Sequence, residues 1–291
     1  MHAKGRGRAE RGELRASAHT LRPRSGTSAK ALLLDVLGQF VASRGDEAWT
    51  QTLVGALDTV GIDERNARQA LSRLTEQGLL SGRRVGRRVR RCLTPAATEL
   101  LDAGRRRIFG FGASSTEWDG RWLVVLCSVP EEYRAKRHLL RSRLGFAGFG
   151  FLSAGVAITP HVEREELATE VLEDLDLVEN ATVFVGEVGQ LVSASDLLHR
   201  AWDLDGLGEE YRAFVRTFSN RSPRAARMRF AALVELLHRW RRFPFIDPEL
   251  PDELLPVHWR GHRARAVFDD RYSEWEPDAR RYFDDLEAAA V

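Results

Sequence analysis

Residues 63–94, DERNARQALSRLTEQGLLSGRRVGRRVRRCLT, decide the fold of the N-terminal third of this chain. In the first half of this stretch, apolar residues recur at the spacing of an α-helix. These residues are Ala67, Ala70, Leu71 and Leu74. Asp63 is a good N-cap for this helix and Gly78 ends it. The residues that follow change to two short strands around a turn near Gly86, so the stretch predicts a helix followed by a basic β-hairpin.

Helical patterns also lie on both sides of this stretch. Two helices are predicted before it, over residues 28–43 and 50–60, and another is predicted over residues 94–108. Three helices followed by a basic hairpin is the element order of a winged helix-turn-helix. We therefore predict this type of domain over residues 28–108, with the last helix as a linker.

The outer face of the third helix carries the side chains that read base edges in the major groove. Arginine bonds guanine through two hydrogen bonds, and asparagine or glutamine bonds adenine in the same way. The hairpin, which would form the wing, has six arginines within nine positions. Phosphates would relieve the repulsion between these arginines. The predicted DNA-binding residues are Thr50, Gln51, Arg65, Asn66, Arg68, Gln69, Ser72, Arg73, Arg83, Arg84, Arg87, Arg88 and Arg90.

Charge is distributed unevenly along the chain, although the net charge is only +2. Residues 1–95 contain 18 Lys and Arg against 9 Asp and Glu, whereas the remaining 196 residues contain 26 basic and 33 acidic side chains. A basic N-terminal segment (a basic head) followed by an acidic remainder indicates that the N-terminal segment binds a polyanion. Residues 1–27 have almost no large apolar residues and are predicted to form a disordered basic arm. This arm could be a solubilising tail or could track along DNA.

The bulk composition indicates a cytoplasmic protein without membrane association. No stretch reaches the ~18 apolar residues that span a bilayer, and no apolar segment follows the basic N-terminus as in a secretory signal. The two cysteines, Cys92 and Cys127, do not form the pattern of a disulfide framework. We interpret both as small buried hydrophobic residues.

Two further domains are predicted after a Gly- and Ser-rich linker at residues 109–117. Residues 118–190 alternate as β-α-β-β-α-β, the order of a ferredoxin-like sandwich. The second and third of these strands are predicted over residues 147–153 and 155–159. Residues 195–291 are mostly helical, with prolines that break the chain between residues 244 and 256. The predicted fold class is therefore α+β.

Five motifs in order give the chain a resemblance to a known family. They occupy residues 61–74, 81–88, 118–122, 201–204 and 242–251. Over about residues 28–270 the chain resembles the PaaX family of phenylacetate-catabolism repressors. The resemblance implies a winged-helix reader, a ferredoxin-like middle domain similar to CRISPR-associated nucleases, and a helical C-terminal domain. It also implies a homodimeric repressor that an aryl-acyl-CoA, typically phenylacetyl-CoA, releases from a double-stranded DNA operator.

Several aromatic and arginine residues are candidates for the effector site that the resemblance implies. An aryl group favours aromatic walls, and the phosphates of CoA favour arginine. The alternative is that these residues belong to the core and to domain interfaces. The candidates are Trp118, Arg121, Trp122, Trp202, Arg242 and Phe243.

Two other functions remain open. One is a nucleic-acid-processing enzyme built on the middle domain, and the other is an RNA-binding or scaffold protein that uses the arginine-rich wing. Against a nuclease, the first strand of the middle domain ends at residues 126–129 without the carboxylate that a hard metal ion prefers. His258 and His262 are four residues apart, but nothing nearby completes a tetrahedral site. We predict no catalytic residue, no metal site and no cofactor.

Overall fold

The computed structural model describes residues 28–42, 44–112 and 117–291. The predicted basic arm, residues 1–27, and residues 113–116 of the predicted linker lie outside the described residues. The chain divides into two compact units. The first unit comprises the described residues up to Phe111 together with Arg216–Arg242 and Ala266–Val291. The second comprises the described residues of Gly112–Val215 together with Phe243–Arg265. Each unit combines helices with a small antiparallel sheet, which confirms the α+β class.

The N-terminal part of the first unit contains four α-helices and three strands. In chain order they are α1 (Ala29–Val36, continued by a π-helical turn at Leu37–Val41), β1 (Glu47–Trp49), α2 (Thr50–Thr59), α3 (Glu64–Glu76), β2 (Leu80–Val85), β3 (Arg88–Leu93) and α4 (Pro95–Gly110). Three of these helices begin at a side-chain cap, because Ser28, Asp63 and Thr94 each accept a hydrogen bond from the backbone N–H three residues later. The N-cap assigned to Asp63 from the sequence is thereby confirmed.

The small sheet of this unit has the strand order β1-β3-β2, with all pairs antiparallel. The sequence predicted only the β2–β3 hairpin. Strand β1 pairs Glu47 with Cys92 and Trp49 with Arg90. A strand of three residues is too short to show an alternating pattern, and its pairing with β3 is what defines it.

The core of the first unit joins the N-terminal helices to helices from the end of the chain. These later helices are α9 (Ala226–Trp240) and the part of α11 (Arg260–Ala289) that follows residue 265. The ring of Phe40 lies 4.9 Å from that of Phe230 and 5.2 Å from that of Phe283. The π-helical turn after α1 is therefore packed between α9 and the end of α11. The last element of the chain is one continuous helix, α11, even though this helix contains Pro277.

The second unit is built on a four-stranded antiparallel sheet of order β5-β6-β4-β7. Its main elements are β4 (Arg121–Cys127), α5 (Arg134–Phe146), β5 (Gly150–Ser153), β6 (Val156–Thr159), α6 (Glu165–Asp174), β7 (Ala181–Glu187), α7 (Ala194–Ala201), the start of α8 (Leu204–Phe218) and the short α10 (Phe243–Ile246). The alternation of β4 sends Leu123, Val125 and Cys127 into a core with α5 and α6, whereas Trp122 packs on the opposite face with Leu197 and Leu198 of α7. Both faces of β4 are thus covered where these residues lie.

One strand of this sheet begins later than the sequence predicted. The sequence analysis expected a strand over residues 147–153, but β5 begins at Gly150. Ala147 instead caps the C-terminal end of α5, and Gly148 turns the chain with a φ of 82°. Glycine adopts this left-handed conformation without steric cost.

Candidate nucleic-acid interface

Helix α3 has one buried face and one polar face. The apolar stripe predicted from the sequence, Ala67, Ala70, Leu71 and Leu74, is buried. The residues predicted to contact bases are all exposed on the other side: Arg65, Asn66, Arg68, Gln69 and Ser72. Arg73, which is better placed for a phosphate, is exposed as well. The helix therefore presents a row of hydrogen-bond donors and acceptors on its outer surface.

Several of these polar side chains are held by short intrahelical contacts. The Nε of Arg68 donates to Glu64 Oε1 at 2.8 Å, and the hydroxyl of Ser72 donates to Glu76 Oε1 at 2.8 Å. Asn66 donates from its side chain to Asp63 at 2.6 Å. The exposed pair of Arg68 and Glu64, four residues apart on the helix, contributes only about 0.3–0.5 kcal/mol, so a DNA contact would readily displace it.

The start of α3 carries a fixed negative charge. The hydrogen bond from the backbone N–H of Asn66 lowers the pKa of Asp63, with the side chain of Asn66 acting in the same direction. An ionised carboxylate here complements the positive end of the helix dipole. Asp63 therefore fixes the first turn, from which Arg65 projects.

The root of the wing is the part of the small sheet where Glu47–Trp49 of β1 pairs with residues 90–92 of β3. Glu47 is its central side chain. Its carboxylate accepts hydrogen bonds from Arg83 Nη2 at 2.7 Å and from Arg90 Nη1 at 3.0 Å. The hydrogen bond from Arg83 is the main reason that the pKa of Glu47 lies below its ordinary value. The guanidinium of Arg90 also lies 4.3 Å from the centre of the Trp49 ring. Two arginines predicted to bind DNA are thus engaged inside the first unit.

The rest of the wing divides into exposed and internally bonded arginines. Arg87 is exposed at the hairpin turn, and Arg84 donates to the carbonyl of Gly86 at 3.2 Å. Arg88 donates to the carbonyl of Ala290 at 2.6 Å. Arg91, which was not among the predicted site residues, donates to Thr50 Oγ1 at 3.2 Å.

The two predicted residues at the start of α2 differ in their surroundings. Thr50 is half-buried, and its hydroxyl donates to the carbonyl of Val89 at 2.9 Å, which ties α2 to β3. Gln51 is exposed. Thr50 therefore holds the wing against α2, while the side chain of Gln51 is accessible to a partner.

One cation near this surface was missed by the sequence analysis. Partial burial lowers the pKa of Lys30 in α1, and the positive charge of Arg73 lowers it further. The two cations are therefore near neighbours at the junction of α1 and α3. The sequence contains no signal for this pairing, because the contact depends on how the two helices pack.

Comparisons with known proteins bear on this surface. Three family profiles match successive segments: "PaaX-like protein" over residues 28–96, "PaaX protein central Cas2-like domain" over 115–198, and "PaaX-like protein C-terminal domain" over 202–285. The transcriptional repressor PaaX of Escherichia coli (strain K12) is 30% identical over 268 residues, which cover 88% of this chain and 82% of that protein. This chain belongs to the PaaX family.

A solved structure shares the fold of this PaaX-family chain. It is the uncharacterized protein Rv0674 from Mycobacterium tuberculosis, with a TM-score of 0.63 and 22% sequence identity. The similarity covers 88% of this chain and 99% of that one. The arrangement of helices and strands is therefore common to both proteins.

The predicted effector residues of this PaaX-family chain lie in contrasting environments. Trp118, Trp122 and Trp202 form a row, with ring centres 5.4 Å apart for the first pair and 6.4 Å for the second. Trp122 is almost completely buried, and Arg121 is paired with Asp119. Trp122 therefore contributes to the core of the second unit.

The remaining two candidates come from the motif at residues 242–251. Phe243 is buried and stacks on Tyr211, with ring centres 4.1 Å apart. The hydroxyl of Tyr211 donates in turn to the half-buried carboxyl of Asp247 at 2.5 Å. Arg242 belongs to the first unit, and Phe243 to the second. This part of the motif thus stabilises the second unit through a partly buried hydrogen bond and a ring stack.

A pocket of about 320 Å³ opens in the second unit where α7 meets α8. Trp202 lines it together with Arg141, Phe151, His199, Arg200 and Asp203. The guanidinium of Arg141 lies 4.4 Å from the centre of the Phe151 ring. Within the described part of the chain, the buried indole Nε1 of Trp202 has no hydrogen-bond partner. The pocket combines aromatic walls and cations.

The described residues contain no group of three or more His, Cys, Asp or Glu side chains that is placed to hold a metal ion. Over the same residues, no helix has both the length and the apolar character needed to cross a membrane.

Proposed function

We propose that this PaaX-family protein is a DNA-binding transcriptional repressor that reads a double-stranded operator with α3 and grips the flanking phosphates with the β2–β3 wing. The observation that carries the proposal is the exposed polar face of α3, which adjoins an arginine-rich hairpin in the same unit. Membership of the family, one of whose proteins is a transcriptional repressor, supports a regulator in preference to an enzyme. A cytoplasmic setting fits that role.

The roles of the domains follow from the same proposal. We interpret α1 to α3 with the β1-β3-β2 sheet as a winged helix-turn-helix, and the β5-β6-β4-β7 sheet with α5 and α6 as a ferredoxin-like domain. The functional division would be a DNA-binding domain over residues 28–108, a middle domain over 118–190 and a helical domain over 195–291, with residues 1–27 as a basic arm. The antiparallel strand order supports the second assignment.

We further propose that an aryl-acyl-CoA such as phenylacetyl-CoA releases a homodimer of the protein from its operator. The pocket at Trp202 supports a ligand of this class, because Phe151 and Trp202 offer aromatic walls and Arg141 offers a cation for a phosphate. A homodimer would place two reading helices on half-sites at a fixed helical phase. By linkage, the effector must weaken DNA binding by the factor by which DNA weakens effector binding.

Fluorescence anisotropy tests these proposals together. The protein is titrated into labelled duplex from upstream of its own gene at fixed salt, with and without phenylacetyl-CoA. We expect tight, sequence-dependent binding that the thioester releases and that phenylacetate and free CoA do not. Sequence-specific binding that the thioester does not change would support the proposed repressor and contradict the proposed effector. Binding no tighter than that to a random duplex would refute the repressor and favour a general nucleic-acid-binding or scaffold role.

The position of the effector pocket is tested by a matched pair of variants. Trp202→Phe removes the buried indole donor but keeps an aromatic wall, whereas Trp118→Phe makes the same change at a tryptophan whose Nε1 already donates to the carbonyl of Arg121. We expect only Trp202→Phe to weaken thioester binding in calorimetry. Equal losses in the two variants would place the effector elsewhere.

A further inference from the structure

The last turn of α11 contacts the root of the wing, more than 190 residues away along the chain. The carboxylate of Glu287 accepts a hydrogen bond from the backbone N–H of Trp49 at 3.2 Å, and its other oxygen lies 3.4 Å from Arg90 Nη1. Just after the helix, the carbonyl of Ala290 accepts the hydrogen bond from Arg88. The end of α11 thus contacts both the strand that begins the small sheet and one strand of the wing.

The position of this turn is fixed independently of the wing. The hydroxyl of Thr52 donates to the carbonyl of Leu286 at 3.4 Å, and the hydroxyls of Thr59 and Tyr282 lie 2.9 Å apart. These contacts run along α2, so the last turns of α11 are anchored to that helix at two levels. Glu287 is therefore held at a defined point, where β1 ends and α2 begins.

The surroundings of Arg90 make Glu287 more than a surface ion-pair partner. The side chains of Arg90 and Glu287 are only 23% and 16% exposed. The guanidinium rests on the Trp49 ring and contacts the carboxylates of both Glu47 and Glu287. Hydrogen bonds to partly buried charged groups are stronger than those between exposed ones, and leaving such a group without a partner is costly. Arg90 is thus bound on two sides, by β1 and by α11.

We propose that Glu287 is a positioning residue for DNA recognition, which fixes the orientation of the wing relative to α3 by bridging Trp49 and Arg90. This role rests on the proposed function. It adds a residue outside the DNA-binding domain that contributes to sequence specificity. Since β3 carries Arg90 and Arg88, the two contacts from α11 hold the strand from which the wing turn projects. The wing and α3 then contact the duplex in one fixed relative orientation.

The positioning role and a simple charge effect predict opposite results on DNA. Removing a carboxylate near the phosphates raises affinity for any duplex, because one negative charge fewer repels the DNA. Loosening the wing lowers affinity only for the sequence that needs the wing and α3 in register. The ratio of specific to non-specific affinity therefore separates the two explanations.

The experiment compares full-length Glu287→Gln with Asp285→Asn, which removes one carboxylate from an exposed position two residues away on the same helix. The probes are a duplex that the wild-type protein enriches from a random library and a shuffled duplex of the same composition. For Glu287→Gln we expect the affinity ratio between these duplexes to fall about tenfold, and for Asp285→Asn we expect it to be unchanged. Equal ratios in the two variants would overturn the proposal.

Amide hydrogen exchange of the wing, measured without DNA, provides a readout that does not depend on the operator. We expect faster exchange across residues 84–90 in Glu287→Gln than in Asp285→Asn and the wild type. Unchanged wing exchange would also overturn the proposal. If the wild type enriches no sequence, the proposed function fails, and the exchange comparison still decides whether Glu287 orders the wing.

Discussion

Replacing Arg68 with alanine tests whether this side chain of α3 takes part in sequence recognition. Arg68 is exposed on α3, and its guanidinium is bonded to Glu64. Breaking that exposed pair costs about 0.3–0.5 kcal/mol, whereas a two-bond contact with guanine contributes about 1–3 kcal/mol. The net loss of about 0.5–2.7 kcal/mol corresponds to a complex with the operator that is roughly 2- to 100-fold weaker.

The assay is anisotropy on the operator and on a panel of duplexes that each differ from it by one base pair. We expect Arg68→Ala to lose discrimination at one position and to retain it at the others. The free energy of unfolding should change by less than about 0.5 kcal/mol, because the site is exposed and alanine favours helix. Glu64→Gln is the matched control, since it releases Arg68 from its partner and should not weaken operator binding.

One result would refute this reasoning directly. If Arg68→Ala bound the operator as tightly as the wild type, with the same preference at every base pair, then α3 would not be the helix that reads the sequence. An equal loss on all duplexes would instead make Arg68 a phosphate contact, because phosphate contacts are independent of sequence.

Three further predictions follow from the geometry. Arg73→Ala should weaken binding to the operator and to a random duplex by the same factor. Titrations at several salt concentrations should show that the slope of log K against log salt falls by about 0.9. An unchanged slope would show that Arg73 does not contact a phosphate. A Cβ at Gly150 would lie 2.5 Å from the Trp202 ring, so denaturant titration of Gly150→Ala should show an unfolding free energy of the second unit lower by about 1–3 kcal/mol. Gly145→Ala is the control, because the nearest neighbour of its Cβ would lie 3.8 Å away, and it should not destabilise the unit. Burial lowers the pKa of His161 in the folded protein. Below pH ~6.5 this imidazole is therefore protonated to a greater extent in the unfolded chain than in the folded chain. Unfolding free energy should therefore fall as the pH drops from 7 towards 5, and His161→Gln should flatten that dependence; an unchanged pH profile would contradict the assignment.

Helix α3 could be predicted because its determinants are local. The N-cap at Asp63, the buried stripe from Ala67 to Leu74 and the polar outer face all lie within a few turns of one helix. Helical periodicity assigns such residues to faces before any tertiary contact is known. The order of strands and helices in the second unit could be predicted for the same reason, with shifts of a few residues at the element ends.

The internal partners of the wing arginines could not be predicted from the sequence. An arginine run predicts a basic hairpin, but it does not distinguish an arginine that faces solvent from one that bonds within the protein. Arg87 is exposed, whereas Arg90 rests on Trp49 between two carboxylates. Those partners come from β1, which is too short to show a period, and from α11, which is far away along the chain.

The sequence by itself determined the α+β class, the basic head, the polar face of α3 and the resemblance to the PaaX family. These features depend on composition, on short-range periodicity and on the order of motifs. Only the tertiary structure decided that α9 and the end of α11 pack with α1, that Trp122 and Phe243 are core residues, and that Glu287 contacts the wing root. Such contacts join residues distant in sequence, and the packing of whole helices and strands selects them.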